Sequence, residues 1–424
     1  MAKPKLALIP AAQGSNFYSV LPSSGVGDFT FTRSGSATRI NSQGLIETVG
    51  NGVSRLNYPL IDGKVVGCPS HLLEPQSSNL VNYSEDFSQG WSKTGVTVTT
   101  NQTISPSGDL TADKFISNST NQPRVEKSFA VPSSDTTYTF SVFVKKANTR
   151  YIALSRFSGG QGAIFDLDTK SVVSSSAENA SIKEMSNGWF RISITQTVLS
   201  TDGNNIWKIN GTNGSSISNG IVGDETFIWG AQLEVESYAT SYIPTNGSAV
   251  TRSAETANGS GDAATFNDSE GVLMAEISAL DNDGTFRMLS ISDGTNNNRV
   301  RINFTSTSKQ IQTRLVVGGV TQADLSQTSA NVTSFNKIAI SYKENDVKLY
   351  INGILIASDT SASVPTIGTF TTLQFDGGGA TSPFHGNTKQ VQYYNSALTD
   401  SELETLTSWV SFSDMANGQL YTIQ

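Results

Sequence analysis

The sequence predicts an all-β protein: two β-sandwich (jelly-roll) domains after an extended, irregular N-terminal segment, with one short C-terminal helix. Three observations predict it. First, polar and apolar residues alternate in runs such as Thr137-Tyr138-Thr139-Phe140-Ser141-Val142-Phe143-Val144 and Arg299-Val300-Arg301-Ile302-Asn303-Phe304. That is the period-two pattern of a half-buried strand. Second, these runs recur at short spacing between turn residues, with no helical periodicity between them, which suits a sandwich or barrel. Third, of the 424 residues 37% are hydrophobic and only 15% are charged. The apolar share is low for one large core and the charge is low for a disordered polyelectrolyte. Thin sandwiches, whose cores are two half-faces about 10 Å apart, fit both figures.

Taken in order, residues 1–80 hold only short apolar pieces, such as Phe29-Thr30-Phe31 and Gly44-Leu45-Ile46-Glu47, between turn signals. Such a segment cannot bury a core alone. It is expected to be an extended attachment segment, ordered by packing on another subunit or on the next domain. Residues 81–245 read as the first sandwich. Tyr151-Ile152-Ala153-Leu154, Gly162-Ala163-Ile164-Phe165-Asp166-Leu167 and Phe227-Ile228-Trp229 through Val235 are further strands. Asn187-Gly188 is a turn feeding Trp189-Phe190-Arg191-Ile192. Residues 246–270 are turn-rich and read as a linker. Residues 271–410 read as the second sandwich, with Lys337 to Tyr342 and Val347 to Gly353 as neighbouring strands around Glu344-Asn345-Asp346. A helix is predicted over 400–408: Thr399 is an N-cap, Glu402 completes a capping box, and Leu403 and Leu406 form its apolar side. Residues 411–424 read as a tail.

Specific runs carry a resemblance. Phe31-Thr32-Arg33-Ser34-Gly35-Ser36-Ala37-Thr38-Arg39-Ile40-Asn41, then Arg55-Leu56-Asn57-Tyr58-Pro59 and Leu73-Glu74-Pro75-Gln76-Ser77-Ser78-Asn79-Leu80, resemble an N-terminal signature of bacteriophage fibre, spike and related structural proteins. Asn82 to Phe87, Phe143 to Lys146, Asn187 to Arg191, Trp229 to Glu234 and Ser237 to Thr245 are similar to the jelly-roll modules of such proteins, which resemble carbohydrate-binding modules. Leu349-Tyr350-Ile351-Asn352-Gly353, Phe384-His385-Gly386 and Val391 to Glu402 resemble a laminin-G/concanavalin-A-like lectin domain. The resemblance implies a virion protein, commonly a trimer. Residues 1–80 would contact other capsid or tail proteins, and the sandwiches would face host surface glycans. The particle would be assembled in the bacterial cytoplasm.

Composition narrows the chemistry. A net charge of −8 without any Lys/Arg run argues against nucleic-acid binding. One cysteine, Cys68, permits no intrachain disulfide, and a free cysteine is usually a small buried hydrophobe. The start Met1 to Pro10 is too short in apolar residues for a signal-peptide core, and no stretch approaches the roughly 20 apolar residues of a membrane helix. Only two histidines exist, His71 and His385, and no Gly-x-Ser-x-Gly elbow accompanies either. They read as packed or capping residues rather than a catalytic base, and zinc lacks ligands. Glycosidases need two carboxylates flanking a cleft, and Asp166 and Asp168 share a strand face as such a pair could, but Asp-x-Asp-Thr more often ends a strand in a turn. The Glu-x-Asp-x-x-Glu pattern of a concanavalin-like hydrolase is absent.

Catalytic residues are therefore expected to be absent and no cofactor is required, although calcium suits loops around Asp281, Asp283 and Asp376. The same loops also read as hairpin turns. Sugar stacking needs an aromatic platform beside polar groups. Trp91 and Trp207 adjoin polar loops and, with Tyr151, are the platform candidates, whereas Trp189 and Trp229 sit in alternating strands and read as core. The expected function is a non-enzymatic virion protein, as head fibre, capsid decoration or tail fibre. A receptor-binding lectin at a fibre tip is the alternative, and a glycan hydrolase a weaker one.

Overall fold

The structure, a computed structural model, describes residues 3–13, 16–156 and 161–408. The protein is built almost wholly from antiparallel strands, as the alternation predicts. The middle sandwich has two six-stranded sheets. In one, the order is Ser92–Thr94, Arg124–Phe129, Asn205–Gly211, Tyr151–Arg156, Gly162–Asp166, Ser171–Ser175. In the other it is Val96–Thr103, Ala112–Ser117, Glu225–Glu234, Thr136–Lys146, Trp189–Val198, Asn179–Glu184. Phe140, Val142, Val144, Ile192 and Ile194 face inward from the second sheet and meet Ile152, Leu154, Phe165 and Ile209 from the first. The predicted Asn-Gly turn is present: Asn187 and Gly188 hold φ of 60° and 76°, and the strand Trp189–Val198 follows at once.

The C-terminal sandwich packs a five-stranded sheet, ordered Val320–Gln327, Ile311–Val317, Arg299–Phe304, Arg287–Ser292, Thr372–Gln374, against a nine-stranded one. The main path of the larger sheet runs Ser19–Leu21, Leu6–Leu8, Gly386–Tyr394, Glu270–Ala279, Asn336–Lys343, Val347–Ile351, Ile354–Asp359. The helix Asp400–Ser408 lies on the outer face of this sheet, where Leu403 and Leu406 pack on Val272, Met274 and Tyr350. Its capping box forms as expected. The Thr399 amide donates to Glu402 Oε2 at 3.0 Å, and the Glu402 amide donates to Thr399 Oγ1 at 3.3 Å. A second, four-residue helix at Pro10–Gln13 was not expected.

The leading segment departs from expectation. The expected packing of residues 1–80 on the next domain is present, with Ile46 against Phe143, Trp189 and Trp229 of the middle sandwich, but the segment is not merely extended. It also supplies strands to the C-terminal sandwich of its own chain. Leu6–Leu8 pairs antiparallel with Gly386–Tyr394, placing Leu6 opposite Tyr393 and Leu8 opposite Val391. Ser70–Leu73 pairs with the other end of the same strand, and Arg55–Asn57 with Ser70–Leu73. Leu6, Leu8, Phe17, Phe29 and Leu73 thereby enter the C-terminal core. The physical reason is non-local: each piece is too short to fold alone, yet completes a sheet edge that would otherwise present unpaired amides. The linker expected at 246–270 is also paired. Val250–Arg252 runs against Ser77–Asn79, and Thr256–Asn258 against Thr30–Thr32. Cys68 is exposed rather than buried, on a loop of this segment. Among the described residues no helix is long and apolar enough to cross a membrane. The tail expected at 411–424 lies outside the described residues.

His71 reports on this packing. It is fully buried and stacked on Phe17, with ring centroids 3.7 Å apart. Desolvation lowers its pKa to about 3, against one bond to the Asn16 carbonyl. The unfolded chain therefore binds more protons than the native state between about pH 3 and 6.5, so this contribution to stability is complete above pH 6.5 and is lost as pH falls toward 3. Replacing His71 by Leu is expected to flatten the fall in urea midpoint over that window, while Leu8→Ala is expected to cost about 2–5 kcal/mol at any pH. Unchanged midpoints in both variants would show that the leading strands do not belong to the core.

Candidate functional site

The outer face of the middle sandwich's second sheet is a ladder of hydroxyls and amides. It arises directly from alternation: as Phe190, Ile192 and Ile194 point inward, Arg191, Ser193 and Thr195 must point outward. Across the strands, Asn179 stands opposite Thr195, Ser181 opposite Ser193, and Lys183 opposite Arg191. On the other side Thr139 faces Thr195 and Ser141 faces Ser193. The hydroxyls bond to one another, Ser181 Oγ to Ser193 Oγ at 2.8 Å and Thr139 Oγ1 to Thr195 Oγ1 at 2.8 Å. Arg191 donates to Ser141 Oγ at 3.0 Å and to the Thr240 carbonyl at 2.6 Å, with its guanidinium 5.2 Å from the centre of the Phe143 ring.

This ladder floors a cleft of about 630 Å³ where the three parts of the chain meet. Thr38, Asn57, Tyr58 and Leu60 wall it from the leading segment. Tyr238 and Thr240 come from the exit of the middle domain, and Ala279, Phe335 and Asn387 from the C-terminal sandwich. One end is closed by an apolar plug, in which Ile46, with Ile40 and Leu60 against it, covers Phe143, Met185, Trp189 and Trp229. Trp189 and Trp229 are thus core residues as expected, buried beneath the leading segment rather than between the two sheets. Their indole N–H groups donate to the Ile104 carbonyl and to Thr111 Oγ1, each at 3.1 Å.

A buried ionic network holds the walls. Arg55 donates to Glu74 at 2.7 Å and to both oxygens of Glu255. Arg33 donates to Glu255 at 2.7 Å, and Arg252 lies 3.0 Å from Glu74. All five side chains are at most 3% exposed. Burial alone would raise the Glu74 pKa, but Arg252, Arg55 and two bonds from Ser241 hold it well below the usual carboxylate range. Glu236, on the loop that leads to Tyr238, behaves oppositely. Burial, with the charge of Glu234 nearby, raises it to about 7. Glu236 does not line the cleft, and neither do His71 and His385.

The residues singled out from sequence are not brought together. Trp207 is fully buried in the sandwich core, its indole N–H bonded to Asn205 at 2.7 Å, and cannot offer a ring face. Trp91 is 5% exposed, packed on Phe87 and bonded to the Tyr83 carbonyl. Both belong to the core of the middle sandwich. Tyr151 is half-buried on the first sheet, with Arg150 over it at 5.0 Å. Asp166 is a turn residue: it accepts the Asp168 and Thr169 amides and a two-pronged contact from Arg150, which holds it well below the ordinary range. Asp281 accepts from Ser237, Asp283 pairs with Arg287 at 2.7 Å, and Asp376 accepts the Gly378 amide and the Asn258 side chain. Among the described residues no three His, Cys, Asp or Glu side chains converge as a metal site. Sequence reasoning missed the cleft and its ion network. Arg33, Arg55 and Glu74 did stand inside the quoted signature, and their charge in otherwise apolar or turn-rich runs was the available signal.

Comparison with known proteins bears on the C-terminal part. Residues 253–404 match the family described as the Concanavalin A-like lectin/glucanases superfamily, and this region is a lectin-like β-sandwich. No curated protein matches the chain. Among solved structures, the CBM40 of the Ruminococcus gnavus IT-sialidase bound to alpha2,3 sialyllactose is 20% identical, with a TM-score of 0.29, over 33% of this chain and 84% of that one. Domain 4 of an extracellular arabinanase from Geobacillus stearothermophilus, in complex with arabinotriose, is 14% identical, with a TM-score of 0.30, over 41% of this chain and 82% of that one. A SAP-like pentraxin from Limulus polyphemus is 13% identical, with a TM-score of 0.27, over 34% and 71%.

The network makes a stability prediction. Arg55→Gln leaves Glu255 with Arg33 alone and Glu74 with Arg252 alone and removes the group that joins the two buried pairs, and a loss of about 3–5 kcal/mol is expected in denaturant unfolding. A loss below about 1 kcal/mol, the size of an exposed pair, would mean that water reaches the network. Glu236 adds a pH signature. Because its native pKa is raised, the stability it contributes is present below about pH 4.5 and lost as pH rises through about 7. Glu236→Gln should therefore melt higher than the parent at pH 8 and equal to it at pH 4.

Proposed function

We propose that this chain is a non-enzymatic virion protein that presents lectin-like β-sandwiches to surface glycans, with the three-walled cleft as a principal binding site. The observation that carries the glycan reading is the cleft's composition. A sugar exposes hydroxyls that both donate and accept, and the floor offers the same groups in a fixed array: Asn179, Ser181, Ser193 and Thr195. Tyr58, Tyr238 and Phe335 on the walls add ring surface for the apolar faces of sugars. The cleft's carboxylate, Glu74, is held ionised by two arginines, which unfits it as a general acid. Glu236, raised to about 7, has the character of an acid but not the position.

The virion assignment is supported by the signature around Arg33, Arg55 and Glu74, which resembles that of phage fibre and spike proteins. In this fold those residues form the buried network that ties the leading segment to Ser241, Arg252 and Glu255. Attachment to neighbouring virion proteins then falls to the exposed turns of that segment, where Val53, Ile61 and Val66 are solvent-facing.

A glycan array probed with the intact protein tests the binding reading. Ser181→Trp, at an exposed floor position, is expected to reduce the signal at least tenfold without changing the melting temperature. An undiminished signal would remove the cleft from the account. Reducing-sugar release from the bound polysaccharide is expected to be nil; release that disappears in Glu236→Gln would make the protein a hydrolase. Antibody labelling of purified phage particles in electron micrographs should place the protein on the particle surface.

A further inference from the structure

The C-terminal sandwich carries an arginine that its own fold leaves without a carboxylate. Arg301 lies on the outward face of the strand Arg299–Phe304 and is only 4% exposed. Its cross-strand neighbours are Arg314 on one side and Ser290 on the other. Like charges directly opposite one another are destabilising. The nearby carboxylate, Asp324, is already engaged: one oxygen accepts from Arg314 at 2.5 Å and the other from Gln312 at 2.7 Å. Arg301 is left with the Gln312 amide oxygen at 3.3 Å and the Met288 sulfur at 3.4 Å, both neutral, and its Nε has no partner. Desolvation, with Arg299 and Arg314 adding to it, lowers its pKa to about 10. A buried guanidinium in this condition is unfavourable unless an anion completes it.

The space for that anion is present. A cavity of about 430 Å³ opens onto Arg301, Arg314, Gln310, Gln312 and Ser382, with Phe286 among its lining residues. Phe286 is 39% exposed, so its ring face is open to a ligand in this cavity. A cavity lined by a ring, two guanidiniums and two amides matches a sugar that bears a carboxylate. The ring takes the apolar face, the guanidinium takes the carboxylate in a forked pair, and the amides take hydroxyls.

We propose that Arg301, Arg314 and Phe286 form a second saccharide subsite, separate from the cleft, that binds the carboxylate of an acidic sugar residue such as a uronate. This rests on the glycan-binding reading above, and the test separates the two. Calorimetric titration of the full chain with trigalacturonic acid is expected to show binding at least tenfold tighter than with neutral galactotriose. Arg301→Met should lose that difference while melting at or above the parent, because it removes an uncompensated charge; a merely structural arginine would leave a variant that melts lower. Phe286→Ala should weaken both saccharides at this subsite and keep the preference for acid. Binding of trigalacturonic acid to Arg301→Met at parental strength, or equal binding of acid and neutral sugars by the parent, overturns the proposal and leaves the cleft reading standing. If neither saccharide binds the parent, sodium sulfate decides. A rise in melting temperature larger in the parent than in Arg301→Met keeps the anion pocket and sinks the glycan reading; equal rises sink the pocket.

Discussion

Arg55, buried between Glu74 and Glu255, is the contact on which the arrangement of the molecule depends. It ties together the leading segment, the strand that closes onto the C-terminal sandwich and the segment leaving the middle domain. Arg33 and Arg252 extend the same network to Glu255 and Glu74. Charges taken out of water are tolerated only when nearly every donor is satisfied, and here the Thr38 carbonyl and Ser241 hydroxyl supply the remaining acceptors of Arg55. Detaching any one of the three segments would remove buried ion-pair partners from those that stay. The network therefore acts as a specificity device: it selects one relative placement of the sandwiches.

The cleft follows from that placement. A six-stranded sheet with a polar outer face would ordinarily be open to solvent, as antiparallel sheets commonly are. Here one end of that face carries Phe143, Trp189 and Trp229, too much apolar surface to leave wet, and Ile46, with Ile40 and Leu60 beside it, covers it. The hydroxyl ladder beyond the plug stays accessible and acquires walls. The same pieces of chain thus cover apolar surface at one end of the sheet and wall a polar cleft at the other. In the C-terminal sandwich the outer face is treated differently. The nine-stranded sheet is covered by the helix Asp400–Ser408, while the five-stranded sheet keeps a polar, arginine-bearing surface exposed to a cavity.

Much of the fold was legible because it is written in local alternation. Thr137 to Val144 and Arg299 to Phe304 name their own strands, and Thr399 with Glu402 names its own helix start. What was not legible is what depends on distant pairing. Nothing within Leu6-Ala7-Leu8 says that it will lie against Val391 and Tyr393, and nothing within Arg55 says that Glu255 will meet it two hundred residues later. The binding candidates failed for a related reason. Trp207 borders a polar loop in sequence, but strand alternation points its ring into the core, opposite to the face on which Lys208 and Ile206 flank it. The cleft residues, being Ser, Thr and Asn on a strand's outer face, look in one dimension like any solvent-facing row.

The claim that the leading segment, the linker and both sandwiches form one body is tested most directly by native-state hydrogen exchange on the intact chain. The account predicts that amides of residues 6–8, 55–57, 70–73 and 250–252 exchange as slowly as those of 270–279 and 386–394, through a common global opening. Fast exchange at 55–57 and 250–252 while the sandwich strands remain protected would contradict it: the network would then be a loose surface contact, and the cleft it frames would not persist in solution.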